Sequence, residues 1–533
     1  MTRVQSAAPV LLLLLAAAGA CAPASPAVVP APDAAAAARP VAAGATSPQI
    51  TADDMRVRVG LLAHDSMRGR EVGTPEKRKA ADYLAAEMAR LGLRPAGENG
   101  TFFQTVPLER RTTRMQAQVQ AASGAWEVTP AQMVPVSGLG GLPATSRTEG
   151  EGEIVFGGYL ADPTVGSQEL TAQQLSGAVV IVRLGTPPGV DPAAARPRAA
   201  IGSLFAPTGA ASAVLLVAEG SVADFWKHAS DVAPKGVVAL RQGAAASTRA
   251  APVFLITPEA AARLLGASLE DARAPRTGLG SFRYQLTHTA EQVEDRNVVA
   301  VLPGSDAARR GEYMTLGAHY DHVGVGTPVN GDSIYSGADD NASGTSALLE
   351  VAEYFAHRPP VERPARSILF IWHAAEEAGL LGSEHFTDNP TVARSAMVAH
   401  VNIDMAGRNS PDSLLVVGSR RLSTEYGQRV EAANAGLSQP FVLDYTFDAP
   451  NHPEMLYCRS DHWNFARYGI PVVKLGSGLH DDYHQPSDTP EKIEYEKLAR
   501  VAQLTASLTE TVANQPQRPR VDQRVPPLGT PCQ

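Results

Sequence analysis

The residues with the clearest chemical potential lie in the stretch 317–344, which reads GAHYDHVGVGTPVNGDSIYSGADDNASG. His319 and Asp321 end an apolar run, and Asp339 and Asp340 lie in a Gly- and Ser-rich loop that opens a helical stretch. An imidazole and a carboxylate presented in this way suit a divalent metal such as zinc. The stretch therefore indicates part of a metal site.

Further candidate ligands lie later in the chain. Glu376 and Glu377 follow one apolar run, Asp404 follows another, and His484 belongs to a loop after a third. Because ligands of open α/β sheets bind beyond the carboxyl ends of the strands, we expect these groups to converge on one crevice.

Each of these features has a simpler interpretation when it is taken alone. A Glu-Glu pair is usually a solvated surface, a single loop histidine is usually not a ligand, and Asp-Asp-Asn-Ala-Ser-Gly could be a turn with a helix N-cap. Their joint occurrence, in order and mostly just after apolar runs, favours the metal site.

Five candidate ligands are too many for one tetrahedral zinc: His319, Asp340, Glu377, Asp404 and His484. They suit two zinc ions if one carboxylate bridges them, and such a pair can together polarise a carbonyl and lower the pKa of a shared water. Glu376, beside a ligand, is then placed to take a proton from that water and pass it to a leaving amine. Asp321 could accept the other N–H of the His319 imidazole.

The elements that must position these residues alternate between strands and helices from Arg296 onward. Apolar runs at 313–318, 367–372 and 398–403 predict strands, and 346–355 is one of the helical stretches between the runs. This alternation is typical of an α/β sandwich with a largely buried sheet. Residues 111–292 differ, since their short β-like runs are separated by Gly, Pro and Ser, and they predict an inserted β-rich domain.

The N-terminus predicts export. Arg3 precedes a short apolar segment, small residues follow, and Cys21 stands where a bacterial lipoprotein box would place it. We therefore expect a signal peptide over 1–21, an Ala/Pro-rich linker over 22–50, and an extracytoplasmic protein that is either secreted or anchored to a membrane through lipidated Cys21.

Composition excludes some classes of function. The 533 residues include 19% charged and 44% hydrophobic residues, which indicates a globular chain of two or three domains. The net charge of −9, without a long basic run, makes nucleic acid an improbable partner. Cys458 and Cys532 could pair in an oxidising compartment.

At this point the chain resembles the co-catalytic zinc aminopeptidases of peptidase family M28. The resemblance covers roughly residues 55–510, and its motifs are AHYDH at 318–322, GADDNASG at 337–344, AAEEAGLLGS at 374–383, NIDMAG at 402–407, SDHWNFARYGIP at 460–471 and DDYHQPSDT at 481–489, with a further similar segment at 61–93.

The resemblance implies a three-layer sandwich with a mixed, mostly parallel central sheet. It divides the catalytic domain into residues 51–110 and 293–514, leaves 515–533 as a C-terminal tail, and implies that 111–292 is a protease-associated domain. That domain would shape access to the cleft or recruit substrate, or it would act as a stabilising appendage.

Carried over residue by residue, the resemblance implies two zinc ions and peptide substrates. His319 and Asp404 would hold one zinc, Glu377 and His484 the other, and Asp340 would bridge them. Glu376 would be the general acid and base, and the Tyr483 hydroxyl would help to stabilise the oxyanion.

Three alternatives on the same fold stay open. A carboxypeptidase should offer clustered arginines for a terminal carboxylate, whereas Arg408, Arg420 and Arg421 are scattered. A glutaminyl cyclase is expected to use one zinc, and a receptor-like homologue would have lost the zinc site.

Overall fold

The computed structural model describes residues 46–136, 145–162, 169–190, 204, 210–241, 250–450, 452 and 454–528. The predicted signal peptide with Cys21, most of the linker, and Cys532 lie outside the described residues. Among the described residues, one compact unit contains 109–291 and the other combines 46–108 with 292–528. The sequence predicts the bounds of the insertion at 111 and 292.

The α-helices of the described residues are α1 (Ala52–Leu62), α2 (Pro75–Arg90), α3 (Ala172–Leu175), α4 (Ser221–Lys235), α5 (Pro258–Leu265), α6 (Gly344–Ala356), α7 (Leu381–Asp388), α8 (Thr424–Ala435), α9 (His462–Ala466) and α10 (Tyr495–Asn514). The strands are β1 (Arg94–Pro95), β2 (Phe103–Ala121), β3 (Gly124–Glu127), β4 (Met133–Pro135), β5 (Glu149–Tyr159), β6 (Val179–Arg183), β7 (Ala213–Val217), β8 (Val237–Leu240), β9 (Val253–Ile256), β10 (Gly280–Leu302), β11 (Tyr313–His319), β12 (Gly324–Val329), β13 (Asp332–Tyr335), β14 (Ser367–His373), β15 (Met397–Ile403), β16 (Ser413–Val417), β17 (Val442–Asp444) and β18 (Val472–Gly476).

The unit formed by 46–108 and 292–528 is built on a mixed, mostly parallel sheet. Its strand order is β17–β16–β18–β15–β11–β14–β10. β11 runs parallel to β14 and β15, and β15 runs parallel to β18. β10 pairs antiparallel with β14, and β16 pairs antiparallel with β18. The strands predicted at 313–318, 367–372 and 398–403 are β11, β14 and β15.

The central strands β11, β14 and β15 are buried along almost their whole length because helices cover both faces of the sheet. Every residue of β14 is buried. Ile371 packs in a cluster with Phe386 of α7 and Phe465 of α9. On the face of the sheet that α6 covers, the Trp372 indole N–H donates to the carbonyl of Thr345, 3.3 Å away. The predicted α/β architecture is confirmed.

The unit formed by 109–291 contains a second set of mostly parallel strands. β5 runs parallel to β6, β6 to β7 and β7 to β9, while β4 is antiparallel to β9. Val222 of α4 and Leu264 of α5 belong to two different hydrophobic clusters against these strands. The strands agree with the predicted β-rich texture. The added helices follow from the parallel pairing, since parallel strands require crossover connections.

A buried cluster of charges joins α1, α2 and α6. The Arg58 guanidinium pairs with Glu350 and Glu353 of α6, and with Glu87 of α2 at 3.2 Å. Arg90 pairs with Glu87 at 2.8 Å and with Glu353 at 3.1 Å. Burial, together with the neighbouring acids, raises the pKa of Glu350 to about 7 against the opposing effect of Arg58.

The Glu350→Gln variant tests this cluster. The folded state binds the Glu350 proton more tightly than the unfolded state, so stability is fully present below the ordinary pKa and is lost as the pH rises through about 7. A glutamine has no such proton to lose. Thermal unfolding from pH 5 to pH 8 should therefore show the melting temperature of the variant rising relative to wild type.

The matched control is Glu510→Gln, which alters a half-exposed pair with Arg358 and should leave the pH dependence unchanged. Parallel loss of stability in wild type and Glu350→Gln across this range would contradict the assignment.

Candidate metal centre

Three neighbouring parallel strands end at the same edge of the central sheet. β11 ends at His319, Glu376 and Glu377 follow β14, and Asp404 follows β15. Because β14, β11 and β15 are adjacent and parallel, their carboxyl ends bring these side chains together. His484 reaches the same place from the loop after β18.

Asp340 lies between two imidazoles. It belongs to the tight turn Ala338–Ser343 that precedes α6, and it is buried. Its Oδ1 lies 3.4 Å from Nε2 of His319, and its Oδ2 lies 3.2 Å from Nε2 of His484. The two carboxylate oxygens therefore face different histidines, as a bridging ligand requires.

The remaining acids divide between the two sides of Asp340. Asp404 Oδ1 lies 3.4 Å from Nε2 of His319, and Glu377 Oε2 lies 2.9 Å from Nε2 of His484. Two groups of side chains could each hold a metal ion: His319, Glu376 and Asp404 in one, and His322, Asp340, Glu377 and His484 in the other.

Glu376 lies beside His319 and Asp404 rather than in the group of its neighbour Glu377. It keeps part of its surface exposed. Desolvation by the surrounding protein raises the pKa of the Glu376 carboxyl well above its ordinary value, and the charges of Glu377 and Asp404 act in the same direction. Such a carboxylate can exchange a proton with a group in the cleft.

Three residues at this edge have positive φ although they carry side chains. Ala375, Met405 and His484 have φ of 54°, 56° and 54°. Ala375 precedes the Glu pair, Met405 follows Asp404, and His484 is itself a candidate ligand. Non-glycine residues adopt this conformation rarely, and such residues concentrate at functional sites.

Asp321 has a different role from the one predicted. Its carboxylate accepts the backbone N–H groups of Glu376 and Glu377, each at 3.2 Å. The carboxylate Oδ1 is 3.9 Å from Nδ1 of His319, whereas the backbone carbonyl of Asp321 is 3.3 Å from that nitrogen. The carbonyl thus orients the imidazole with Nε2 toward the acids, and the carboxylate holds the loop of the Glu pair.

Asp339 supports the turn that carries Asp340. Its Oδ1 accepts the N–H of Gly407 at 2.6 Å, and its Oδ2 lies 3.2 Å from Nε2 of His480. Asp488, to which sequence analysis gave no role, accepts the N–H groups of Asp339 and Asp340 at 3.0 and 3.1 Å. Burial beside Asp339 raises the pKa of Asp488 to about 6.

Asp404 is held by two residues that sequence analysis also missed. Its Oδ2 accepts from the Ser460 hydroxyl at 2.6 Å and from Nζ of Lys474 at 2.7 Å. Burial alone would raise the pKa of Asp404, but the charge of Lys474 and the contact with His319 hold it below its usual range. Ser460 lies within the conspicuous motif at 460–471, whereas Lys474 interrupts an apolar run.

Arg70 is a third residue without a predicted role. It is fully buried, and its guanidinium donates to the carbonyl oxygens of Leu62, Tyr320, Ser336 and Gly337 at 2.6–3.0 Å. Tyr320 follows His319, and Gly337 directly precedes the turn of Asp340. Arg70 therefore connects two candidate ligand segments through their backbones.

Tyr483 stacks on the ring of His484 with centroids 3.9 Å apart. Burial, reinforced by the nearby charge of Asp340, raises the pKa of the Tyr483 hydroxyl well above its ordinary value. The hydroxyl therefore keeps its proton and can act as a hydrogen-bond donor.

The residues present fit divalent metal ions. Nε2 of His484 is buried and has no hydrogen-bond partner, although carboxylate oxygens of Glu377 and Asp340 lie close to it. Burial would lower the pKa of His319 and His484, yet the surrounding carboxylates raise it well above the ordinary value. A buried set of imidazole nitrogens and carboxylate oxygens with such a negative potential suits zinc.

Comparison with known proteins finds a matching family for the region that carries the candidate metal centre. Residues 297–509 match the model of peptidase family M28. This segment is an M28 peptidase domain. The match leaves out the unit at 109–291, whose resemblance to a protease-associated domain stays a prediction.

Two curated proteins are similar to part of the chain. The chain is 28% identical over 227 residues to leupeptin-inactivating enzyme 1 of Streptomyces exfoliatus, covering 42% of this chain and 45% of that protein. It is 25% identical over 255 residues to leucine aminopeptidase 1 of Arthroderma otae, covering 46% of this chain and 65% of that protein. The chain thus spans about half to two thirds of these relatives.

Solved structures share the fold over most of the chain. An aminopeptidase from Aneurinibacillus sp. strain AM-1 aligns with a TM-score of 0.56 at 18% identity, covering 91% of this chain and 98% of that one. A zinc aminopeptidase from Bacillus subtilis aligns with a TM-score of 0.52 at 19% identity, covering 90% and 100%. These likenesses agree with the α/β architecture.

Arg70→Lys should destabilise the M28 domain although it conserves the charge. A lysine cannot reproduce the fork of donors, so buried carbonyl oxygens would lose their partners at a cost of roughly 1–3 kcal/mol each. We expect the urea midpoint to fall by an amount equivalent to a few such bonds, on the order of 2–4 kcal/mol. Arg68→Lys, an exposed change in the same segment, is the control. Equal midpoints for Arg70→Lys and wild type would contradict this role.

Proposed function

We propose that the protein is an extracytoplasmic zinc aminopeptidase that removes N-terminal residues from peptides. The observation that carries this proposal is the position of Asp340, whose two oxygens face His319 and His484 within 3.4 Å. On one side of Asp340, Asp404 pairs with His319, and on the other side Glu377 pairs with His484. The names of the curated relatives, which include leucine aminopeptidases, support the same reaction class.

Zinc ions held by these residues would supply Lewis-acid polarisation of the scissile carbonyl and a water of lowered pKa. His319 and Asp404 would hold one ion, Glu377 and His484 the other, and Asp340 both. The pairing of His322 Nδ1 with Glu377 Oε1 at 2.8 Å leaves Oε2 directed toward His484. His322 therefore orients a ligand, in agreement with its position just after the strand end.

The proton transfers belong to Glu376. Its carboxylate takes a proton from the attacking water and later delivers that proton to the amine that leaves when the peptide bond breaks. The Tyr483 hydroxyl, which retains its proton, donates a hydrogen bond to the oxyanion that develops on the former carbonyl oxygen. Asp321 keeps Glu376 in place through the backbone N–H of that residue.

The charges around the cleft favour a substrate with a free amino terminus. Buried carboxylates attract the ammonium group of such a substrate. The three scattered arginines already have carboxylate partners: Arg408 pairs with Asp482, Arg420 with Glu431 and Arg421 with Asp448. The completeness of both ligand groups argues against a single-zinc cyclase and against a receptor-like homologue without metal.

The proposed location outside the cytoplasm rests on two features. The N-terminal sequence resembles an export signal followed by Cys21. Cys458 is disulfide-bonded, as expected in an oxidising compartment. Cys532 lies outside the described residues, so its pairing with Cys458 stays a prediction. No helix of the described residues has the length and apolar character to cross a bilayer.

The Glu376→Gln variant tests the proposal. Wild type should contain two zinc ions per chain and hydrolyse aminoacyl anilides. The variant should retain both ions but lose on the order of 10²- to 10⁴-fold in kcat, because it cannot accept the proton. Zinc content by elemental analysis and anilide hydrolysis are the measurements. Glu362→Gln, at an exposed residue outside the cleft, should match wild type.

Metal-free wild type without hydrolysis would refute the enzyme assignment. Cleavage only of N-blocked peptides with a free carboxyl terminus would show that aminopeptidase is the wrong subclass.

A further inference from the structure

The two terminal carboxylates of the candidate centre are each held by a donor from outside the ligand set. On one side, Oδ2 of Asp404 accepts from Nζ of Lys474 at 2.7 Å and from the Ser460 hydroxyl at 2.6 Å. On the other side, Oε1 of Glu377 lies 2.8 Å from Nδ1 of His322. Each carboxylate thus leaves one oxygen for a metal.

The two sides differ in charge. An ammonium group faces Asp404, whereas an imidazole faces Glu377, and an imidazole has an N–H to donate even in its neutral form. Among the described residues, Lys474 is the one lysine or arginine whose ion pair within 4.0 Å involves a candidate ligand. The side chains of Lys474 and Asp404 are only 8% and 5% exposed, so solvent screens this charge weakly.

We propose that Lys474 is an internal counter-cation of the centre. It compensates the crowded carboxylates when metal is absent, and it makes the His319/Asp404 site bind zinc more weakly than the Glu377/His484 site. Lys474 is a positioning residue, since it acts through Asp404. This inference rests on the proposed binding of two zinc ions.

The direction of the effect follows from electrostatics. Asp340, Glu376, Glu377 and Asp404 lie together, and in the metal-free protein their mutual repulsion is relieved in part by the ammonium group of Lys474. When a dication binds Oδ1 of Asp404, the same ammonium group lies on the far side of that carboxylate and repels it. Removing the Lys474 charge should therefore tighten zinc at this site and destabilise the metal-free protein.

The geometry also predicts an order of loading. Zinc should occupy the Glu377/His484 site first, and the His319/Asp404 site should exchange its ion more readily. Since Glu376 groups with His319 and Asp404, the weaker site is the one beside the proton-transfer residue. Activity would then depend on the availability of zinc.

The Lys474→Met variant of the full chain tests the inference, since methionine keeps the length of the side chain without its charge. Calorimetric titration of the metal-free protein with zinc should show the weaker of the two binding steps strengthened on the order of tenfold or more, the scale of one neighbouring charge. The melting temperature of the metal-free protein should fall, whereas that of the zinc-loaded protein should not.

Two control variants separate charge from hydrogen bonding. Lys474→Arg keeps the charge and should titrate like wild type. Ser460→Ala removes the other donor to the same oxygen without changing the charge, so it should not tighten the weaker step. Crystals with one equivalent of zinc can be compared by anomalous diffraction. In wild type the ion should lie at the Glu377/His484 site, and in Lys474→Met the zinc occupancy of the His319/Asp404 site should be higher than in wild type.

If metal-free Lys474→Met does not fold, a second measurement on the zinc-loaded protein tests the same inference. Zinc release from the loaded Lys474→Met protein to a chelator should lose its fast phase, with release slowed about tenfold or more. The inference would be overturned if Lys474→Met had the same affinity as wild type in the weaker binding step, or the same fast phase of zinc release. Failure of wild type to bind two zinc ions would instead refute the proposed function, so the two failures are distinguishable.

Discussion

The mutual repulsion of buried carboxylates is the constraint on which the rest of the centre depends. Asp340, Glu376, Glu377 and Asp404 meet at the carboxyl edge of the parallel strands. Two unit charges about 4 Å apart interact with roughly 4 kcal/mol at the effective dielectric of a protein site. Such a cluster is stable only with positive charge, which the chain supplies through histidines and Lys474 and which zinc would complete.

This repulsion also explains how the loops around the centre are fixed. Acidic residues outside the candidate ligand set accept hydrogen bonds from backbone N–H groups of the segments that carry the candidate ligands. Asp321 holds Glu376 and Glu377 in this way, and Asp488 holds Asp340. The Arg70 guanidinium complements them by donating to backbone carbonyls of the same region. Directed donors and acceptors preorganise the ligands before any metal arrives.

The sequence predicted the fold class and the residues that converge, because periodicity marks strands and strand ends mark sites. It could not assign roles that depend on pairing between distant segments. Lys474 interrupts an otherwise apolar strand, and its meaning emerges only when β18 lies beside β15. For Asp321, the spacing to His319 allowed either the carboxylate or the carbonyl to contact the imidazole, and the position of the loop after β14 decided between them.

The most direct test of this account is the zinc content of two neighbouring variants. If Asp340 bridges the two sites, Asp340→Ala should lose both zinc ions, whereas Asp339→Asn, which preserves the shape of a supporting side chain, should retain two. Elemental analysis of the purified, dialysed proteins would measure this. Two zinc ions in Asp340→Ala, or loss of zinc only in Asp339→Asn, would contradict the account.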